Sequence, residues 1–182
     1  MNKSLIVACD GEAASGKSTG AKLLSKKYKL LLLNSGLLYR YASKLLITKK
    51  PKKPIPYLRK IFKRISYNLI KKQSLHSQEI SNHVGYLAKN KAIREIMRIY
   101  QKKIIRKNKR ICVEGRDIAT KILNKNPRYD LAFYFTCKIN IAAKRRWKEL
   151  KKKVNDAILI RTDRLSKKEV LRRMSNEVDK II

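Results

Sequence analysis

Short apolar runs of strand length alternate along this chain with longer segments in which apolar residues recur every three or four positions. Runs typical of buried strands lie at residues 5–9, 30–33, 111–113, 131–136 and 157–160. Helical periodicity marks residues 17–27, about 36–47, two segments within 77–107 that break near Asn90, about 139–152, and a C-terminal helix from Ser166. Continuous apolar strands separated by helices predict an α/β fold, with a parallel sheet of about five strands flanked by helices.

One stretch interrupts this alternation. Pro51, Pro54 and Pro56 stand among lysines just after the predicted second helix. Proline breaks regular structure, so we expect an inserted region at about residues 50–75. The total of 182 residues suits a single domain that contains this insertion. No apolar run approaches the roughly 20 residues that span a bilayer, so an integral membrane protein is not expected.

The three cysteines are an odd number and have no CxxC spacing. Cys9, Cys112 and Cys137 each lie in an apolar, strand-like run. This pattern is typical of buried reduced thiols in a cytoplasmic protein. The absence of an apolar heptad or an evident apolar patch makes a monomer the default expectation.

The chain is strongly basic, with 47 Lys and Arg against 13 Asp and Glu, and a net charge of +34. Such a balance fits nucleic-acid binding, and it fits equally an anionic substrate with a lysine-rich solvent face. The basic residues spread from Lys22 to Arg173, without an aromatic-interleaved RNA-binding pattern, a zinc finger or a basic zipper. Sequence-specific nucleic-acid binding is therefore not expected, and charge alone does not assign a function.

Residues 11–18 match the phosphate-loop pattern G-x-x-x-x-G-K-[ST] at every required position, between a predicted strand and a predicted helix. Backbone amides in such a loop cradle phosphates, and the helix dipole adds positive potential. Lys17 is expected to reach the β- and γ-phosphates, and the Ser18 hydroxyl to bind Mg²⁺. The predicted ATP-binding residues are Gly11, Glu12, Ala13, Ala14, Ser15, Gly16, Lys17, Ser18 and Thr19.

Two further blocks follow predicted strands, at the sheet edge where open α/β folds bind ligands. The first is Leu-Asn-Ser-Gly-Leu-Leu-Tyr-Arg at residues 33–40, and the second is Glu-Gly-Arg-Asp-Ile-Ala-Thr at residues 114–120. Each supplies an arginine, Arg40 or Arg116, suited to forked contact with a phosphate. The second adds the carboxylate of Asp117.

These three blocks, in this order, resemble those of the bacterial cytidylate kinases, the (d)CMP kinase family. Weaker similarity continues at residues 78–82, 93–95, 144–146 and 156–160, so the resemblance runs from about residue 4 to the C-terminus with gaps. It implies a P-loop NTPase fold of the nucleoside monophosphate kinase type, in which the inserted region at about residues 50–75 would bind the nucleoside monophosphate. It also implies transfer of the γ-phosphoryl group of ATP to CMP or dCMP, giving CDP or dCDP, with Mg²⁺.

The resemblance implies that Arg40 and Arg116 bind the CMP phosphate. It also implies that these two arginines and Lys17 are the catalytic residues. Arg94 and Asp117 would read the cytosine edge, since an arginine donates to O2 and N3 and a carboxylate accepts from the N4 amino group. Ser35 and Tyr39 are added as substrate-binding candidates, although either could simply shape the turn. Glu114 is assigned as an indirect partner of Mg²⁺.

The chain departs from the family pattern at three places. Asn34 stands where the family usually has Asp, and Gly85 where a serine that contacts the base is expected. Family members also carry an arginine-rich lid before the last strand, whereas here only residues 151–155 separate Leu150 from Asp156. Lid arginines stabilise charge on the transferring phosphoryl group, so we expect this vestigial lid to weaken turnover more than nucleotide binding.

Two other functional classes fit parts of the sequence. Another small-molecule P-loop kinase, either an AMP/UMP kinase or a shikimate-type kinase, would share the phosphate loop, although the Gly-Arg-Asp block at residues 115–117 argues against both. A basic nucleic-acid-associated or ribosome-associated protein could use the phosphate loop as a nucleotide sensor. Salt-sensitive RNA binding that Lys17→Ala leaves unchanged would favour this second class.

Overall fold

The computed structural model describes residues 3–12, 15–137 and 157–182. The chain divides into two units. The sheet unit consists of Met1–Leu33 and Ile105–Ile182, and the helical unit consists of Asn34–Ile104.

A five-stranded parallel sheet forms the centre of the sheet unit. Its strands are β1 (Leu5–Gly11), β2 (Leu31–Asn34), β3 (Arg110–Gly115), β4 (Leu131–Thr136) and β5 (Ile158–Arg161), in the order β2-β3-β1-β4-β5. The central strand, β1, pairs with β3 so that Asp10 lies opposite Gly115, and with β4 so that Gly11 lies opposite Phe135. This register brings the carboxyl ends of β1 and β3 to the same edge of the sheet.

The described helices are α1 (Lys17–Lys27), α2 (Ser35–Lys49), α3 (Pro54–Arg64), α4 (Tyr67–Lys71), α5 (Gln78–Leu87), α6 (Lys91–Lys107) and α7 (Lys167–Asp179). A single π-helical turn, Ile118–Ile122, follows β3. Ser166 caps α7 in a capping box: its hydroxyl accepts from the Glu169 amide, and the Glu169 carboxylate accepts from the Ser166 amide.

The core of the sheet unit lies where α1 and α7 pack against the sheet. Cys9, Phe133 and Phe135 are buried from the strands, and Leu24 and Met174 from the two helices. Strands covered in this way have few exposed positions, which explains why they read as continuous apolar runs in the sequence.

The helical unit has its own buried apolar side chains. The ring of Phe62 on α3 packs edge-on against Tyr41 of α2, with centroids 6.1 Å apart, and against Tyr100 of α6, with centroids 5.2 Å apart. Leu58 and Ile70 are fully buried in the same unit. The proline-rich stretch thus forms ordered helices, because α3 begins with Pro54, which is well tolerated in a first helical turn.

The predicted elements are confirmed within the described residues, with small changes at their ends. β1 extends to Gly11 rather than stopping at residue 9, and α2 covers Ser35–Lys49 rather than about 36–47. The break predicted near Asn90 separates α5 from α6. The predicted helix at 139–152 and the vestigial lid at 151–155 lie outside the described residues.

The sequence predicted that all three cysteines are buried free thiols. This is confirmed for Cys9 and Cys112, but the burial prediction was wrong for Cys137, which follows β4 and is only half-buried.

Within residues 3–12, 15–137 and 157–182, the helices are all too short or too polar to cross a membrane. The assignment of residues 1–182 to one kinase domain, with a substrate-binding insertion at 50–75, stays a prediction.

Candidate active site

The phosphate loop connects β1 to α1, and two glycines give it its shape. Gly11 has φ +148°, and a Cβ there would lie 2.3 Å from the carbonyl oxygen of Phe135. Gly16 has φ +81°, a left-handed conformation that immediately precedes the first residue of α1, Lys17. Both positions therefore require glycine. Ala13 and Ala14, also predicted to bind ATP, lie outside the described residues.

Two hydrogen bonds fix the position of Ser15 in the second half of the phosphate loop. Its buried hydroxyl donates to the carbonyl oxygen of Glu12 over 2.9 Å. Its own carbonyl oxygen accepts a 2.8 Å hydrogen bond from the hydroxyl of Thr162, in the turn after β5. The loop is therefore fixed both by its own residues and by a neighbouring strand end.

Lys17 is partly buried, whereas Ser18 and Thr19, which follow it in the first turn of α1, are exposed. Burial lowers the pKa of the Lys17 ammonium; Glu114 and Asp10 act in the opposite direction, and Arg116 adds to the lowering. The positive end of the α1 dipole and the Lys17 ammonium lie close together, and both favour the binding of an anion.

Glu114 lies at the carboxyl end of β3, beside the phosphate loop. Its side chain is 2% exposed, and its Oε2 has no hydrogen-bond partner among the residues that the structure describes. Arg116, two residues further on, is exposed. Asp117 has φ 59°, an uncommon left-handed conformation that turns the chain into the π-helical turn.

The sequence motifs predicted no role for Asp10. Its carboxylate oxygens accept hydrogen bonds from the backbone amides of Ile118 over 2.7 Å and Ala119 over 2.8 Å. Burial raises the pKa of the Asp10 carboxyl to about 6, although the two amides act to lower it. The last polar residue of β1 thus fixes the backbone directly after Arg116 and Asp117.

The remaining predicted site residues belong to the helical unit. Asn34 is the N-cap of α2, and its side-chain oxygen accepts from the Leu37 amide over 3.1 Å. Asparagine caps a helix about as well as aspartate, so the departure from the family pattern keeps the cap and removes the charge. Ser35 is buried in the first turn of α2, and Tyr39 is half-buried one turn later.

Arg40 is oriented by residues outside its own helix. Its Nη1 donates to the Ser81 hydroxyl oxygen over 2.9 Å and to the Leu75 carbonyl oxygen over 3.2 Å. Ser81 in turn donates to the Ser77 carbonyl oxygen over 2.8 Å. Arg94 lies on the exposed side of the first turn of α6.

The predicted residues therefore form two groups. The sheet unit brings together the phosphate loop and the end of β3, with Lys17, Ser18, Glu114, Arg116 and Asp117. The helical unit carries Ser35, Tyr39, Arg40 and Arg94. Sequence reasoning missed the supporting roles of Asp10, Ser81 and Thr162. Asp10 had a signal, since a charged residue directly before a phosphate-loop glycine is unusual in a buried strand.

The family model for cytidylate kinase matches residues 7–159. A bifunctional pantoate ligase/cytidylate kinase from Prochlorococcus marinus strain MIT 9312 is 34% identical over 100% of this chain and 38% of its own length. A cytidylate kinase from Bartonella quintana is 33% identical over 83% of this chain and 69% of its own length. The chain thus spans about two fifths of the bifunctional relatives that it matches.

Solved structures with the same fold have much lower sequence identity. Shikimate kinase from Aquifex aeolicus matches with a TM-score of 0.52 and 14% identity, covering 97% of both chains. The protein TT1252 from Thermus thermophilus matches with a TM-score of 0.52 and 13% identity over the full length of both chains. At this identity the similarity establishes the P-loop kinase fold and nothing further.

Proposed function

This chain belongs to the cytidylate kinase family, and from that premise we propose that it transfers the γ-phosphoryl group of ATP to CMP or dCMP. One observation carries the proposal: the glycine-shaped loop before α1 lies at the same sheet edge as Glu114 and Arg116. An anion at the start of α1 would meet backbone amides and the Lys17 ammonium together.

In the proposed reaction, an oxygen of the CMP phosphate attacks the γ-phosphorus of ATP in line with the departing ADP oxygen. The acceptor phosphate is already anionic, so no general base is needed. Lys17 neutralises charge on the phosphates, and Arg40 and Arg116 hold the acceptor phosphate. Arg94 and Asp117 recognise cytosine, with Ser35 and Tyr39 as further contacts in the CMP site.

Magnesium is part of this proposal, and the donor set fits it. Mg²⁺ prefers oxygen ligands and keeps several of its waters. The exposed Ser18 hydroxyl offers a direct ligand, and the unpartnered Oε2 of buried Glu114 offers an acceptor for a metal-bound water. When bound, the ion would neutralise charge on the phosphate oxygens.

We further propose that the protein acts as a monomer in a reducing compartment such as the cytoplasm. The thiols of Cys9 and Cys112 lie 3.6 Å apart on neighbouring strands and form a hydrogen bond rather than a disulfide. A reducing environment keeps such thiols free.

The test is a coupled ADP-release assay with Mg·ATP against CMP, dCMP, UMP and AMP. We expect turnover with CMP and dCMP, and loss of at least a hundredfold in Lys17→Ala because the phosphate charge is no longer neutralised. Lys22→Ala is the matched control, since Lys22 is an exposed lysine on the same helix. Turnover with AMP or UMP in preference to CMP would contradict the proposed acceptor.

Calorimetric titration of CMP separates a slow kinase from a wrong assignment. CMP binding without turnover would mean that the substrate site is intact and that phosphoryl transfer is impaired, which the short lid predicts. Absence of both turnover and CMP binding would overturn the proposed substrate.

A further inference from the structure

Acidic residues are scarcer in the helical unit than in the rest of the chain, so its positive charge is less balanced. Residues 34–104 contain 18 of the 47 Lys and Arg residues but only two of the 13 acidic residues, Glu79 and Glu95. Glu95 is paired with Arg98 over 2.7 Å. No acidic residue occurs anywhere between Glu12 and Glu79. This charge is more than the phosphates of a single mononucleotide would neutralise.

Helix α3 presents part of this charge on one face. Arg59, Lys60, Lys63 and Arg64 are all exposed, and together they are called the α3 basic face. Residues four apart on a helix are separated by about 6 Å along its axis. Arg59 with Lys63, and Lys60 with Arg64, therefore form a compact group of four cations on the last two turns of the helix.

Two apolar residues on the opposite face of α3 are buried. Leu58 is 0% exposed and Phe62 is 3% exposed. Lys103 of α6 donates to the Lys63 carbonyl oxygen over 2.9 Å, and the Tyr100 hydroxyl donates to the Ile65 carbonyl oxygen over 3.2 Å. The helix is therefore held with its cationic side outward.

Two kinds of anionic partner could bind the α3 basic face, a membrane surface or a nucleic acid, and the apolar residues of the helix distinguish between them. A basic amphipathic helix binds membranes by inserting its apolar face, and in α3 two residues of that face, Leu58 and Phe62, are already buried. The large exposed apolar side chains described in this unit, Leu69, Tyr86 and Ile99, lie on three different helices. What α3 offers to a partner is charge, and charge without a base-reading pattern matches a phosphate backbone.

We propose that the α3 basic face binds the phosphate backbone of single-stranded nucleic acid without sequence preference. Helix α3 lies within the insertion at about residues 50–75 that is predicted to bind substrate, so competition by CMP distinguishes nucleic-acid binding from substrate binding. Each cation that contacts a phosphate releases counterions, so the affinity falls with rising salt.

The experiment measures fluorescence anisotropy of a labelled, mixed-sequence oligonucleotide of about 20 nucleotides with the full chain, at several KCl concentrations. The test variant replaces Arg59, Lys60, Lys63 and Arg64 by Gln. The charge-matched control replaces four exposed residues of α1 and α7 in the sheet unit by Gln: Lys22, Lys26, Lys167 and Arg172. Far-UV circular dichroism and the unfolding midpoint verify that both variants fold.

We expect the test variant to bind at least tenfold more weakly, and its log–log salt slope to fall by about 3, since each lost contact in a single strand contributes about 0.7. In the control variant, the loss of affinity and the fall in salt slope should each be less than a third of those in the test variant. Equal losses in the two variants would show that net charge alone is responsible and would overturn the proposal. The proposal would also be overturned if the unsubstituted chain did not bind the oligonucleotide.

A second set of variants and two competition measurements complete the test. If the fourfold variant does not fold, the double variants Arg59→Gln/Lys63→Gln and Lys60→Gln/Arg64→Gln are compared with Lys22→Gln/Lys26→Gln by the same criterion. Displacement of the oligonucleotide by CMP at constant ionic strength would place it in a mononucleotide site and overturn the proposal. Binding to phosphatidylserine vesicles that the oligonucleotide cannot displace would assign the face to a membrane instead.

Discussion

The hydroxyl of Thr162 donates a 2.8 Å hydrogen bond to the carbonyl oxygen of Ser15, 147 positions earlier in the sequence. The bond joins the turn after β5 to the phosphate loop. The Thr162 side chain also lies against Gly16, where an added Cβ would be 3.5 Å from its Cγ2. A single side chain thus supports the part of the loop that leads into Lys17.

Removing this hydroxyl should weaken ATP binding. In Thr162→Val the shape is kept and the donor is lost, which leaves the Ser15 carbonyl without this bond. A hydrogen bond of this kind contributes about 1 kcal/mol, so we expect the KM for ATP to rise about fivefold while the KM for CMP stays unchanged. Steady-state kinetics with each substrate varied in turn measures both constants.

Thr162→Ser is the matched variant, because it keeps the hydroxyl and loses only a methyl group. It should restore most of the ATP affinity that Thr162→Val loses. Equal KM values for ATP in the original chain and in Thr162→Val would show that the phosphate loop does not need this support.

The buried carboxyl of Asp10 should make stability depend on pH. Its pKa of about 6 in the folded chain is higher than the usual value near 4. Between pH 4 and pH 6 the folded chain retains a proton that the unfolded chain releases. Raising the pH through this window therefore favours unfolding, and Asp10 should lower the free energy of unfolding by roughly 2–3 kcal/mol over this range.

Chemical denaturation at a series of pH values measures this effect, with Asp10→Asn as the comparison because its amide does not titrate. The difference in unfolding free energy between the original chain and the variant should change between pH 4 and 6 and level off above pH 7. Two parallel stability curves would mean that Asp10 does not titrate in this window.

The fold was predictable from the sequence because consecutive residues of β1, β3 and β4, which face opposite sides of the sheet, are buried. Burial on two sides makes these strands continuous apolar runs, and the shorter β2 and β5 were also recognised by their apolar residues. The end of β1 was missed because Asp10 is charged, and a charged residue normally marks the end of a buried run. Here the amides of Ile118 and Ala119 satisfy the carboxylate, and the strand continues to Gly11.

The candidate site was predictable only where its residues are close together in the sequence. The phosphate loop is contiguous, so its pattern and its flanking elements could be recognised together. The bonds from Asp10 to Ile118 and from Thr162 to Ser15 join residues 108 and 147 positions apart. A spacing pattern carries no information about such pairs, because they depend on which strand ends become neighbours in the sheet.

Two helical glycines should respond in opposite ways to alanine. A Cβ at Gly20 in α1 would lie 2.7 Å from a ring carbon of fully buried Phe135 and 3.1 Å from the Met174 sulfur. A Cβ at Gly85 in α5 would have no atom within 4 Å. We expect Gly20→Ala to lower the free energy of unfolding by about 1–3 kcal/mol through overpacking. Gly85→Ala should raise it by about 0.5–1 kcal/mol, because alanine favours the helix.

Urea denaturation of the two variants and the original chain measures both changes. Each glycine serves as the control for the other, since the substitution and the helical setting are the same and only the surroundings differ. A stabilised Gly20→Ala variant would mean that α1 can move away from β4 at little cost.

Arg40 should depend on Ser81 for its orientation. The Ser81 hydroxyl accepts from Arg40 over 2.9 Å and is itself fixed by donating to the Ser77 carbonyl oxygen. Of the two bonds that Nη1 makes among the described residues, Ser81→Ala leaves the longer one, to the Leu75 carbonyl oxygen, so the guanidinium should occupy more than one position. We expect the KM for CMP to rise three- to tenfold, with an unchanged KM for ATP, because a displaced Arg40 would bind the acceptor phosphate less well.

The control for this prediction is Ser74→Ala, an exposed serine just before α5, which should leave both constants unchanged. Arg40→Lys distinguishes orientation from charge. A lysine keeps the charge and loses the forked geometry, so its KM for CMP should rise at least as far as that of Ser81→Ala. If Ser81→Ala raised the KM for ATP and for CMP equally, Ser81 would affect both substrates rather than act through Arg40 on the acceptor phosphate.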